Sequence, residues 1–245
     1  MLESCINQAA GLQGLAPRMA PKLVAVASHG QQQGELPLLW SLCTTWVDMG
    51  LPVMVLDGHT RESAQNPGLL NMLADPMGHF HDDPESVSWS VLPASLGFAQ
   101  LAQQGFNSHT VGNLFQNFGV VLLYADAASL TGLVKGSGLA PLLVVAPLKA
   151  SSLSAYQALK QLLLDARLHP TVANIALVPN AASAMSKPTQ TLQDCAMTFL
   201  GLEIKPVTVS ATANAEDSQA EISRLALQLL ESAVFLERHP LPRTH

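Results

Sequence analysis

Charged side chains are scarce in this chain. Asp, Glu, Lys and Arg make up 12 % of its 245 residues, against about 25 % in an ordinary soluble domain. A thinly charged surface tends to be covered by another chain, so association is the expectation, as a homodimer or with a protein partner. Basic residues are the rarer sign: 12 Lys and Arg stand against 18 Asp and Glu, and none of them cluster. A surface that displaces counterions from DNA or RNA needs a basic stripe, so nucleic-acid binding is excluded as an expectation. Cysteine is sparse too. Cys5, Cys43 and Cys195 are far apart and odd in number, which argues against a disulfide framework or a zinc knuckle and favours the reduced cytoplasm. Long apolar runs are missing. The longest, Leu139 to Leu148, contains two prolines. It is too short to span a bilayer and reads as a buried strand. No basic start followed by a long apolar run precedes the first strand, so no secretory signal is expected.

What is present is alternation of strand and helix patterns. Leu23 to Ala27 is apolar on both faces, as in a parallel sheet. Further strands are expected at 53–57, Ser88–Leu92, Val120–Tyr124, Leu142–Ala146, Asn174–Val178 and Ile204–Val209. Pro37 suits the first turn of a helix that Gly50 ends. Other helices are expected over Phe98–Gln104, Thr110–Phe118, Leu153–Leu168, Thr191–Leu200 and Glu216–Arg238. The final helix sets Glu216, Asp217, Glu221, Glu231 and Glu237 against Arg224 and Arg238. Membrane-surface helices are rich in Lys and Arg on the polar face, so this one is expected to pack on the core and not to anchor the chain. The fold class is therefore α/β with a doubly wound, mostly parallel sheet. Residues 1–21 read as an N-terminal helix and a proline-bearing linker, and residues 22–240 as a single α/β domain.

Between the first strand and the first helix stand Ser28, His29, Gly30, Gln31, Gln32, Gln33, Gly34, Glu35 and Leu36. A glycine-bearing strand-to-helix turn is where phosphates are commonly held. The strand, the turn, the helix and a second strand ending in Asp57 resemble the MinD/ParA family of P-loop ATPases. That family's loop reads K-G-G-x-G-K followed by Ser or Thr. F-G-V-V-L-L-Y (118–124) resembles the family strand that ends in a catalytic-site aspartate. The stretch 141–160 resembles its V-V-x-x-P-x-x-x-S-x-x-D-A-Y segment, and A-L-V-P-N (176–180) the strand whose asparagine meets the adenine base. Within the family the chain ends look most like the flagellar-number regulators called FlhG, FleN or YlxH. N-Q-A-A-G-L-Q (7–13) stands where they carry D-Q-A-x-x-L-R, and 191–204 resembles their F-L-G-x-x-L segment.

The resemblance implies a P-loop NTPase fold of the SIMIBI type and a site that has eroded. Gly30 and Glu35 fall where two lysines belong, and Leu36 where the Mg²⁺-binding hydroxyl belongs. Gln31 and Gln32 replace glycines, while Gly34 is kept. Asp57 matches the first aspartate of a D-x-D pair, His59 stands at the second, and Tyr124 stands where the strand-end aspartate would be. Asp126 comes two residues later. A carboxylate in place of a lysine trades an attraction for a repulsion, on the order of several kcal/mol in a partly dry site. The expectation is a degenerate site, a pseudo-ATPase with no cofactor and no catalytic residue. ATP with Mg²⁺ enters only in an alternative reading, an ATPase with rearranged ligands built on Asp57, Asp126 and Asn180. A scaffold serving cellulose synthesis, pilus placement or partition is a further alternative.

Each residue also has a plainer reading. Asp57 can cap the next turn, Asn180 can be a turn residue, and Gly30 and Gly34 can serve loop geometry alone. The resemblance makes Gln8 and Leu12 partner-contacting residues, with a flagellar SRP-type GTPase as the partner that Gln8 stimulates. The plainer reading is an amphipathic segment docked on its own domain. His79, His81, Asp82 and Asp83 invite a metal but read as a solvated loop, so no metal is expected.

Overall fold

The computed structural model describes residues 20–30, 32–76, 87–176, 185–210 and 216–237. In chain order these form β1 (Lys22–Ser28), α1 (Gln32–Asp48), β2 (Val53–Asp57), α2 (Leu69–Ala74), β3 (Trp89–Pro93), α3 (Ser95–Gln104), α4 (Ser108–Leu114), β4 (Val120–Asp126), α5 (Ala127–Val134), β5 (Leu142–Val145), α6 (Lys149–Leu164), β6 (Thr171–Ala176), α7 (Lys187–Leu200), β7 (Val207–Ser210), α8 (Glu216–Glu231) and β8 (Val234–Phe235). The sheet runs β3-β2-β4-β1-β5-β6-β7, and every pairing along this path is parallel. The short β8 pairs antiparallel with the start of β1, Lys22 opposite Phe235. It takes the half of that edge which β5 leaves free, since β5 meets β1 only at Val26 and Ala27.

Side chains alternate across the sheet and feed two cores. Leu23, Ala25 and Ala27 join one cluster with residues of α2 to α7. Val24 and Val26 join the other, with Leu38, Leu42 and Trp46 of α1 and Leu225, Ala226 and Leu229 of α8. Trp46 is completely buried, and its indole N–H donates to the Ala226 carbonyl at 3.2 Å, which fastens α1 to α8. Among the described residues no helix is long and apolar enough to cross a membrane.

Several boundaries differ from the sequence expectation. The first helix starts at Gln32, straight out of the loop, so Pro37 sits in its second turn. β4 runs two residues past Tyr124 to Asp126, because Ser28 of β1 continues the ladder opposite it. β6 begins at Thr171, which pairs with Leu142, and not at Asn174. β7 begins only at Val207, after Pro206, while Ile204 turns into the first core and accepts a hydrogen bond from the Gln193 amide at 2.7 Å. α6 starts at Lys149 and ends at Leu164. The last helix ends at Glu231, and the chain then enters β8, so Leu236 is buried by strand-side packing and its N–H donates to Pro21. Helices α2 and α5 were not expected at all. The N-terminal helix lies outside the described residues, with Gln8 and Leu12. So do Gln31, Asn180 and the His79–Asp83 stretch.

Candidate functional site

In an open α/β sheet the crevice lies at the carboxyl ends of the strands, where the strand order reverses. Here that place is the end of β1, between β4 and β5. Ser28 closes β1 with its side chain buried. Gly30 then takes φ +86°, a left-handed conformation that L side chains rarely adopt. α1 follows, and its first turn presses against β5. A Cβ on Gly34 would come within 2.8 Å of the Ala146 Cβ. Gly30 is thus required by backbone conformation and Gly34 by close packing.

Glu35, in that first turn, points back into the protein and is wholly inaccessible to solvent. Its Oε2 accepts the hydroxyl protons of Ser28 at 2.7 Å and Tyr124 at 2.9 Å. Its Oε1 accepts the backbone N–H of His29 at 3.1 Å. A buried carboxylate is costly unless its lone pairs are filled, and here three donors converge on it. The His29 ring is sealed in beside it. Nδ1 meets the Ser154 hydroxyl at 3.0 Å and Nε2 meets the Val144 carbonyl. A carbonyl only accepts, so Nε2 carries a hydrogen, while the Ser154 hydroxyl also lies 3.1 Å from the Ala150 carbonyl. Nε2 is also 3.6 Å from Glu35 Oε1.

Tyr124 therefore has a definite role: it donates to the buried acid. Burial pushes its phenol above its ordinary value; the Ser28 hydrogen bond opposes this, and the charges of Glu35 and Asp57 reinforce it. The hydroxyl remains a proton donor at neutral pH. The sequence pictured Glu35 as an acid facing an incoming phosphate. The structure corrects that picture: the carboxylate is turned inward and occupied, so it closes the end of β1 with internal hydrogen bonds.

The remaining candidates are separately engaged. Asp57 Oδ1 accepts the His59 N–H at 2.9 Å and Oδ2 the Thr60 hydroxyl at 2.6 Å, a turn-capping arrangement. His59 is exposed, and its ring stands edge-on to Tyr124 with centroids 4.9 Å apart. Asp126 caps α5 by accepting the Ser129 N–H at 2.7 Å. Leu36, where a hydroxyl would be needed for a magnesium ion, is 48 % exposed and offers no ligand atom. Gln32 and Gln33 belong to the first turn of α1.

Two buried polar residues escaped the sequence reading. Glu62 accepts the N–H groups of Leu96 at 2.7 Å, Gly97 at 2.8 Å and Leu70 at 3.3 Å, joining the starts of α2 and α3. Asn174 is completely buried; its Oδ1 accepts the Thr189 hydroxyl at 2.7 Å, and its Nδ2 donates to Thr208 at 3.3 Å. Neither stands in a motif. Glu62 sits in a polar stretch, and Asn174 is one polar residue inside an apolar strand, which was the only available signal for it.

Comparison with solved structures places this architecture. The MinC:MinD cell division protein complex of Aquifex aeolicus superposes with a TM-score of 0.57 over 91 % of this chain and 98 % of that chain, at 17 % identity. MinD cell division protein of the same organism gives 0.53 over 88 % and 100 %, at 16 % identity. The fold is that of the MinD/ParA-type P-loop NTPases. Cyanthece apo McdA adds a TM-score of 0.50 over 86 % of this chain and 95 % of that one, at 13 % identity. No protein-family model matches the chain, and no curated protein sequence matches it.

Proposed function

We propose that this chain is a MinD/ParA-like protein without ATPase activity that acts through protein contacts in the cytoplasm, in the control of flagellar biosynthesis. The observation that carries the reading is Glu35. Phosphoryl transfer depends on placed positive charge and a held metal ion. At the position where the fold family offers a lysine, this chain has a carboxylate consumed by Ser28, His29 and Tyr124. A triphosphate would meet an acid with no free donor from Ser28 or Tyr124, and displacing it would strand buried hydroxyls. Both oxygens of Asp57, and Oδ1 of Asp126, are engaged in turn and helix capping.

Support for a protein partner comes from the thin surface charge and from the solved neighbour, itself a complex of MinD with MinC. Support for the flagellar setting is the N-Q-A-A-G-L-Q stretch, with Gln8 and Leu12 as the proposed contacts to an SRP-type GTPase. The purified chain should release no phosphate from Mg²⁺-ATP above background. It should be retained by the flagellar GTPase, and Gln8→Ala should lower the stimulated GTP turnover. Turnover of ATP that disappears in Asp57→Ala contradicts the first half of the proposal. A GTPase neither retained nor stimulated contradicts the second.

A further inference from the structure

Among the described residues nothing pairs with one edge of the sheet. β3 is its terminal strand on one side, paired only to β2 among the described residues. Natural sheets protect such edges with charges, bulges or a covering element. The stretch 87–93 reads V-S-W-S-V-L-P and contains no charge. Ser88 gives its carbonyl to Val53 and Ala94 its N–H to Asp57, so even-numbered residues face β2. By the alternation of a strand, Trp89 and Val91 direct their N–H and C=O groups outward, away from the sheet.

The same edge is apolar on one face. Val87, Trp89 and Val91 recur at every second residue, on the side of α1. That side is covered by α1 and α8 alone among the described helices, and α1 meets β3 through Trp40, leaving Val87 and Val91 largely open. Val87 is 49 % and Val91 54 % exposed, and Trp40 of α1 is 62 % exposed. Trp40 stands edge-on to Trp89 with ring centroids 4.8 Å apart. Leu36 lies one helical turn from Trp40, also exposed. An uncharged row of this kind is a contact surface.

We infer that this edge is where a second copy of the chain docks, the two β3 strands joining antiparallel about a two-fold axis at Ser90. That axis sets Trp89 opposite Val91 of the partner subunit, so each pair exchanges backbone N–H···O bonds through its outward-facing groups. Both tryptophan–valine pairs then lie on the face of α1, where the Trp40 rings cover them. A second copy fits better than a charged ligand for two reasons. The chain carries a net charge of −6, and a charge-free patch such as this one adds no local repulsion between like copies. And Leu36, Trp40, Val87 and Val91 expose roughly 400 Å² of apolar surface per protomer, about half of the ~800 Å² that a standard stable interface covers on each partner.

Sedimentation of the full chain without nucleotide tests this. The expected species has twice the 25.9 kDa of one chain. Val91→Pro removes only an outward N–H, which an edge strand tolerates. Trp40→Lys changes an exposed helix position and places a charge on the patch. Each should weaken dimerisation about tenfold or more, with circular dichroism and melting temperature unchanged. If Val91→Pro fails to fold, Trp40→Lys still decides. A chain that stays monomeric at every concentration overturns the inference, as does a dimer that persists in Trp40→Lys. A dimer that forms only with Mg²⁺-ATP overturns it too and points to the loop end of the sheet. The dimer does not depend on the proposed loss of ATPase, since its test contains no nucleotide.

Discussion

Glu35 and Glu62 are both buried carboxylates that follow the carboxyl end of a strand, yet they are held by different kinds of donor. Glu62 accepts three backbone N–H groups, two of them at the start of α3. Those donors are fixed by the helix and have nowhere else to turn. Glu35 accepts one backbone N–H and two hydroxyls. Hydroxyls rotate, and Tyr124 and Ser28 are already 3.5 Å apart. The β2 connection is therefore built rigidly around its acid, while the β1 connection could partly re-bond without its own. A buried acid can thus be a helix cap in one loop and the hydrogen-bonded closure of a strand end in the next. Only the partners tell them apart.

The largest effect should come from Glu62→Ala. It strands helix N–H groups in a buried place and should cost roughly 3–4 kcal/mol, read as a fall in urea midpoint at constant m-value. Glu35→Ala should cost less, roughly 2 kcal/mol, because the Tyr124 and Ser28 hydroxyls can pair with each other. Equal losses would break the comparison. Gly34→Ala, which forces a Cβ against Ala146, should cost about 1–3 kcal/mol by the same measurement without touching either acid. Tyr124→Phe removes one donor to Glu35 and should cost about 1 kcal/mol. The smallest effect is alkaline. Burial pushes the Cys43 thiol from 9.0 up to about 12, so the folded state keeps a proton that the unfolded chain releases. The stability this contributes is whole below pH 9.0 and is lost as pH climbs toward about 12. Melting temperature should fall across that window and fall less in Cys43→Ala, and Cys43 should resist alkylation until the protein unfolds.

The strands were legible because a parallel sheet buried on both faces writes itself as apolar runs, such as Leu23 to Ala27 and Leu142 to Val145. Their ends were not, because pairing sets them. β6 reaches back to Thr171 only to match Leu142, and β4 runs on to Asp126 only because Ser28 lies opposite. α2 and α5 span 6 and 8 residues and show too few turns for periodicity to mark them. At the site, the types and positions of Ser28, Glu35 and Tyr124 could be read, but not the inward turn of Glu35. That turn depends on Tyr124, distant in sequence and brought near by the β1–β4 pairing. Glu62 was invisible for the same reason, since its donors on α3 lie more than thirty residues away.

The central claim is that the end of β1 is closed by the protein's own carboxylate. Calorimetric titration of the wild-type chain with Mg²⁺-ATP tests it most directly. The account predicts no saturable heat. A saturable isotherm that Asp57→Ala abolishes would contradict it.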